Sequence, residues 1–208
     1  MSNQPSEDID ASRPDSPIHL RGTDHITLEG TNKDETIAYY RDLLGCPLVL
    51  SQPNLDRKEL THLFFDTGDG RLISFFVSDD RETTSLDKPQ PGQVHHLAFR
   101  IAGDQLAEIE ESLTEAGYPV SEYDRGAFHS LYTRDPNGLT IELVADKFTV
   151  PSEKRGEVLA VAHHLRVEEG AEFVETRHME EAISELGLEV EQFDLRDADP
   201  GRDFPGRE

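Results

Sequence analysis

The chain has 208 residues, enough for one sizeable hydrophobic core, and its formal net charge at pH 7 is −23. A surface this acidic offers no basic patch to nucleic acid or to an anionic membrane, so we expect neither as a partner. We interpret the charge as an adaptation to a cytoplasm of high salt, where screening weakens the repulsion between carboxylates. An acidic protein from an ordinary cell is the alternative.

A single cysteine, Cys46, excludes internal disulfides and cysteine-rich zinc sites. No run approaches the ~20 apolar residues that a membrane-spanning helix needs. The N-terminus also lacks the charged-then-apolar pattern of a signal peptide. We therefore expect a protein of the cytoplasm.

The first half of the chain predicts one small module after a tail. Residues 1–17 are acidic and poor in apolar side chains, which predicts disorder. The module covers residues 18–79, and its predicted elements are a strand at 19–28, a helix at 32–44 and strands at 47–51, 61–66 and 71–78. Asn32 and Glu35 have the spacing of a capping pair at the start of the helix. Residues 80–92 are polar and contain proline, as a linker does.

The second half of the chain repeats the same order of elements and is then followed by a segment with helical periodicity. The second module covers residues 93–150, with a strand at 94–101, a helix at 104–116 and strands at 119–123, 128–134 and 139–144. Residues 151–190 predict a helical extension, with helices at 153–169 and 175–186 that end before Gly170 and Gly187. We expect the last segment, 191–208, to be a disordered tail.

Aligning the two modules places His25 on His96, and Glu142 of the last strand on Ser74. Two histidines and one carboxylate at equivalent positions of paired modules suggest a divalent metal with open coordination sites. The alternative is that both histidines are ordinary packed residues of strands. Glu142 argues against it, because a carboxylate facing inward from an apolar strand costs several kcal/mol unless it is paired or coordinated.

These segments resemble the vicinal oxygen chelate superfamily, also called the glyoxalase/bleomycin-resistance/dioxygenase fold. The likeness covers roughly residues 18–148 and is carried by Asp24-His25-Ile26-Thr27, the helix at 36–45, His95-His96-Leu97-Ala98-Phe99-Arg100 and the run from Arg134-Asp135-Pro136-Asn137-Gly138 to Glu142. It implies an α+β fold, with two tandem βαβββ modules forming a curved mixed sheet around a metal cleft and a C-terminal helical hairpin in addition. The segments are most similar to the ring-cleaving members that act on hydroquinones and catechols.

The resemblance implies a metal site formed by His25, His96 and Glu142, holding Fe(II) or else Mn(II). Such a set leaves open sites for a diphenol and for dioxygen. Tyr132 precedes Glu142 by ten residues, as in the extradiol dioxygenase signature, where the tyrosine hydrogen-bonds a substrate oxygen. The implied enzyme is a ring-cleaving dioxygenase with a small aromatic diol as substrate.

Two histidines are candidates for the acid/base residue, His129 and His62, and each could instead be a structural histidine. Strand alternation places His129 on the face opposite Tyr132, so its role requires a bulge. The same alternation directs His95 away from the cavity if His96 faces it. Arg125 is a candidate for binding an anionic group of the substrate, or is an exposed arginine of a loop.

Two other functions remain open. The first is a glyoxalase-like isomerase or lyase, or a resistance-type thiol transferase, of the same fold. The isomerases use a fourth protein ligand where this chain has Ser74, so a residue such as Glu29 or Glu59, or a neighbouring subunit, would have to supply it. The second is a non-catalytic protein that binds a small aromatic molecule. The apolar face at 158–165 has no partner in the two modules, which suggests a homodimer.

Overall fold

Two successive groups of four strands make up residues 25–145 of the structure, a computed structural model that describes residues 9–83 and 89–198. The first group contains β1 (His25–Glu29), α1 (Lys33–Ile37), β2 (Leu48–Pro53), β3 (Thr61–Asp66) and β4 (Leu72–Val77). The second contains β5 (His96–Ile101), α2 (Leu106–Glu115), β6 (Ser121–Asp124), β7 (His129–Arg134) and β8 (Thr140–Ala145). Two helices follow, α3 (Arg155–Glu168) and α4 (Thr176–Glu185).

Each group forms its own mixed sheet, with strand orders β1-β4-β3-β2 and β5-β8-β7-β6. The first strand of each group pairs in parallel with the last, and the other neighbours are antiparallel. The predicted α+β fold of two βαβββ modules with a helical hairpin is thus confirmed. The curved sheet consists of two four-stranded sheets, since none of the strand pairs in the described ranges joins one module to the other.

The strand registers confirm the alignment of the two modules. His25 stands two residues before the β1 residue that pairs with Ser74. His96 stands two residues before the β5 residue that pairs with Glu142. The histidines of the two modules therefore occupy equivalent positions, and so do Ser74 and Glu142.

Some strand and helix boundaries differ from the prediction. A strand extends only as far as its neighbour pairs with it. The first strand was predicted at 19–28 but β1 begins at His25, because its neighbour β4 begins its pairing at Leu72. The predicted helix at 32–44 is present in two parts, α1 and a π-helical segment at Ala38–Leu43. Asn32 caps α1 as expected, with its side-chain oxygen accepting a hydrogen bond of 2.9 Å from the Glu35 backbone N–H.

Polar contacts from residues on either side of α1 to the turn before β8 join the two modules. Tyr40 is fully buried, and its hydroxyl donates a hydrogen bond of 2.9 Å to Asp135. The backbone N–H of Thr31 donates to the Asn137 side-chain oxygen at 2.8 Å. The turn at 135–138, predicted from its Pro and Asn-Gly, therefore also holds the second module to the first.

The C-terminal helices α3 and α4 pack on each other and form a second apolar cluster beside the second module. Its fully buried members include Val158, Ala162 and Ala182. The apolar face at 158–165 therefore has a partner within the chain. Among the described residues, each helix is too short or too polar to cross a bilayer.

The predicted terminal tails and linker are described only in part. Residues 1–8, 84–88 and 199–208 lie outside the described residues, and 9–17 form no helix or strand. Residues 191–198 were expected to be disordered but lie along the second module. Phe193 donates a backbone hydrogen bond of 2.9 Å to the Lys147 carbonyl, and Arg196 binds Glu122 at 2.6 Å. The Arg196 ion pair fixes this segment together with Leu195, which packs on the main apolar core.

Candidate metal centre

One face of the second sheet gathers three of the predicted site residues. Alternate residues of a strand share a face. Tyr132 of β7 pairs directly with Glu142 of β8, and Glu142 pairs with Ala98 of β5. His96 lies two residues before Ala98, on the same face of β5. The repeat alignment suggested that His96 and Glu142 share a site, and the resemblance to the extradiol dioxygenase signature added Tyr132.

Both oxygens of Glu142 have a partner. Its Oε2 lies 3.0 Å from His96 Nε2, and its Oε1 accepts a hydrogen bond of 2.6 Å from the Tyr132 hydroxyl. The Glu142 side chain is 10% exposed. A carboxylate so nearly buried needs such partners, because transfer from water without them is costly. The carboxylate is thus held in place at the open side of the sheet.

The Tyr132 hydroxyl stays protonated, and so remains a hydrogen-bond donor, throughout the physiological pH range. Burial raises its pKa to about 12, aided by the neighbouring Glu142 and opposed by Arg125. The guanidinium of Arg125 lies 4.7 Å from the ring centre of Tyr123 and 5.5 Å from that of Tyr132. Arg125 is therefore half-buried beside the site, which favours a role there over an exposed loop position.

His95 contacts the site although strand alternation directed it away. Its Nδ1 lies 2.8 Å from His96 Nδ1, so one ring donates a hydrogen bond to the other. Alternation failed here because β5 begins at His96 and does not include His95. The contact leaves Nε2 of His96 directed at Glu142.

His25 has the same arrangement on the first sheet. Its Nδ1 lies 2.6 Å from the Asp24 carboxylate, which leaves Nε2 free to bind a metal. The ring packs 5.8 Å from Phe64, which occupies the position equivalent to Tyr132. The equivalent of Glu142 is Ser74, whose hydroxyl donates to Thr27 at 2.7 Å. The first sheet thus presents a histidine but has no carboxylate at the position equivalent to Glu142.

His25 does not meet His96 and Glu142 within one chain. Across the described ranges, no three His, Cys, Asp or Glu side chains converge closely enough to hold a metal ion. The pair of His96 and Glu142 fits two ligands of Fe(II) or Mn(II), since imidazole and carboxylate suit both ions. A third ligand has to come from another source.

The two predicted acid/base histidines lie elsewhere. His129 is fully buried on the face opposite Tyr132, without a bulge, and its Nε2 lies 2.6 Å from Glu122. His62 lies on the face of the first sheet that carries His25, with ring centroids 4.2 Å from Phe64. Burial, and then the charge of His25, lower the pKa of His62. Neither histidine reaches the second sheet's site in the described chain.

Comparison with known proteins gives the family. A profile of the Glyoxalase/Bleomycin resistance protein/Dioxygenase superfamily matches residues 22–143. A chlorohydroquinone/hydroquinone 1,2-dioxygenase of Sphingobium indicum is 28% identical over 156 residues, which are 71% of this chain and 46% of that protein. Glutathione transferase FosA of Serratia marcescens is 24% identical over 124 residues, 60% of this chain and 80% of that protein.

A solved glyoxalase/dioxygenase structure from Nostoc punctiforme shares the fold, with a TM-score of 0.52 at 19% identity, covering 66% of this chain and 99% of that one. The chain spans less than half the length of the ring-cleaving relatives it matches. With two βαβββ modules in the described structure and a profile match over residues 22–143, the chain belongs to the Glyoxalase/Bleomycin resistance protein/Dioxygenase superfamily.

Proposed function

We propose that this protein is a metal-dependent dioxygenase that cleaves the ring of a hydroquinone or catechol. The observation that carries the proposal is the row of His96, Glu142 and Tyr132 on one open sheet face, with the Tyr132 hydroxyl 2.6 Å from Glu142. The sequence relationship to a hydroquinone 1,2-dioxygenase supports it. Fe(II) is the metal we propose first, and Mn(II) second.

The proposed centre is completed by His25 of a second copy of the chain. His25 occupies in the first module the position of His96 in the second, and presents the same nitrogen, Nε2. The face around it is open, with Leu50 on β2 41% exposed. A two-fold dimer that pairs the first sheet of each copy with the second sheet of the other would form two such centres.

Each residue then has one task at the site. His96 and Glu142, with His25 of the second copy, would hold the metal, which would offer open positions for dioxygen and for the substrate, bound through two oxygens of a catechol or one oxygen of a hydroquinone. The Tyr132 hydroxyl, whose single proton bonds to Glu142 in the structure, would turn that hydrogen bond to a substrate oxygen when substrate is bound. His62 shares the face of His25, and its lowered pKa suits a proton acceptor near neutral pH. His129 is bound to Glu122 and takes no part.

The test is metal content after anaerobic purification, together with oxygen uptake on a panel of catechols and hydroquinones. The variants are Glu142→Gln and a control, Glu122→Gln, which also alters a carboxylate of the second sheet. We expect stoichiometric iron or manganese and oxygen uptake in the wild type and in the control, and loss of both in Glu142→Gln. Absence of metal from the wild type after reconstitution would overturn the proposal.

A second candidate function is transfer of a thiol to an electrophilic substrate. It is favoured by the share of the relative's length that this chain matches. The chain spans 80% of the glutathione transferase FosA but 46% of the hydroquinone dioxygenase. In that case, metal-loaded protein would consume glutathione in the presence of an electrophile and would take up no oxygen with any diphenol. The same two assays on one preparation therefore separate the two functions.

A further inference from the structure

The loop that carries Arg125 is a tight turn between β6 and β7. Its Gly126 has φ +78°, a conformation that favours glycine. The Gly126 N–H donates to the Asp124 carboxylate at 2.8 Å, and the Arg125 N–H donates to the Phe128 carbonyl at 2.7 Å. These bonds define the path of the loop but do not attach it to the rest of the molecule.

Lys147 attaches the loop to the second module. Its ammonium is buried and donates to the Asp124 carboxylate at 2.6 Å, to the Gly126 carbonyl at 3.0 Å and to the Thr176 hydroxyl at 2.8 Å. An ammonium group has three donors, and all three have a partner here. Because a buried charge is stable only when it is paired, Lys147 and the loop constrain each other.

The C-terminal helices form the other side of this contact. Thr176 is the first residue of α4, and its hydroxyl also lies 3.2 Å from the Gly126 carbonyl. The chain before α4 is so close that a Cβ on Gly126 would lie 2.2 Å from the Val174 carbonyl oxygen. The loop is therefore enclosed between Lys147 and the start of α4.

We propose that the C-terminal helical pair is a positioning device for the candidate site, in which Thr176 and Lys147 hold the 124–126 loop so that Arg125 stays against Tyr132. The guanidinium lies 5.5 Å from the Tyr132 ring, on the open face of the second sheet. In the proposed dioxygenase, on which this part of the inference rests, Arg125 would select a diphenol whose ring carries an anionic substituent.

The test uses the full chain and Thr176→Val, which removes the hydroxyl and keeps the shape of the side chain. The control is Thr149→Val, because the Thr149 hydroxyl binds the backbone of Glu191 and so fastens the same extension away from the loop. Trypsin cleavage after Arg125 is followed by mass spectrometry, with cleavage after the exposed Arg57 as internal reference. Proteolysis reports how often a segment opens.

We expect cleavage after Arg125 to accelerate about tenfold in Thr176→Val and to stay unchanged in Thr149→Val. Equal rates in Thr176→Val and wild type would overturn the proposal, as would equal acceleration in both variants. In steady-state assays, the KM for 3,4-dihydroxybenzoate, whose carboxylate lies away from the two hydroxyls, should rise about tenfold in Thr176→Val, with kcat and the KM for catechol unchanged.

An unchanged KM for 3,4-dihydroxybenzoate would overturn the role of the helical pair at the site. If the wild type turns over no diphenol, the proposed function fails. The comparison of trypsin cleavage rates still tests whether the helical pair holds the loop, because that measurement needs neither metal nor substrate.

Discussion

At the scale of single residues, Tyr132 contacts the proposed metal ligand Glu142 on the open face where substrate would bind. Its hydroxyl donates to Glu142, and its pKa of about 12 keeps it protonated. Tyr132→Phe should retain the metal and lower kcat about 10- to 100-fold, the effect of losing one hydrogen bond to a charged group. Metal analysis and oxygen uptake on the same sample measure the retained metal and the kcat. An unchanged kcat would remove Tyr132 from the mechanism.

Glu122 gives a prediction about pH. Burial opposes its ionisation, but hydrogen bonds from Arg196 and His129 outweigh burial and lower its pKa below 4.5. A lowered pKa in the folded state means that the ionised form contributes stability above about pH 4.5, and that this contribution is lost as pH falls through the folded pKa. The wild type should therefore exceed Glu122→Gln in stability at pH 7, and the gap should narrow towards pH 3.

Denaturant unfolding of both proteins between pH 7 and pH 3 measures that gap. A gap that stays constant over the range would show that the Glu122 charge contributes nothing. Arg177→Gln is a matched control, because its partners Glu169 and Glu175 are exposed and the ion pair there is expected to contribute little.

At the scale of elements, the contact between the π-helical segment after α1 and the turn before β8 helps to join the modules. Tyr40→Phe leaves the Asp135 carboxylate buried without its hydroxyl donor, and should lower the free energy of unfolding by about 1–3 kcal/mol. Denaturant unfolding checks this value. Adding Asp135→Asn should recover part of the loss, because a neutral amide costs less to bury than a carboxylate. Additive losses would contradict this explanation.

The existence and order of the strands followed from the sequence, because alternation is a local signal and the internal repeat shows the same order twice. The sequence thereby placed Glu142, Tyr132 and His96 on one face. Long-range contacts were not predictable in this way. Attachment of the 191–198 segment through Arg196, and of the Arg125 loop through Lys147, depends on charge pairs between residues far apart in the chain. Alternation likewise gave no information about His95, which precedes its strand.

At the scale of the whole molecule, the net charge of −23 should make stability depend on salt. At low ionic strength the carboxylates repel each other over roughly 10 Å or more, and this repulsion weakens as salt screens it. We expect the Tm to rise steadily as KCl increases from about 0.1 M to about 2 M. Thermal unfolding followed by circular dichroism measures it. A constant or falling Tm would contradict a high-salt adaptation.

The most direct test of the account is complementation between two variants, His25→Ala and Glu142→Ala. Each should be inactive alone. After equal amounts are mixed and allowed to exchange subunits, half of the dimers contain one copy of each, and every such dimer keeps one intact centre. We predict that oxygen uptake returns to about a quarter of the wild-type rate. Continued inactivity, with mixed dimers demonstrated by native mass spectrometry, would contradict a dioxygenase centre built from two chains.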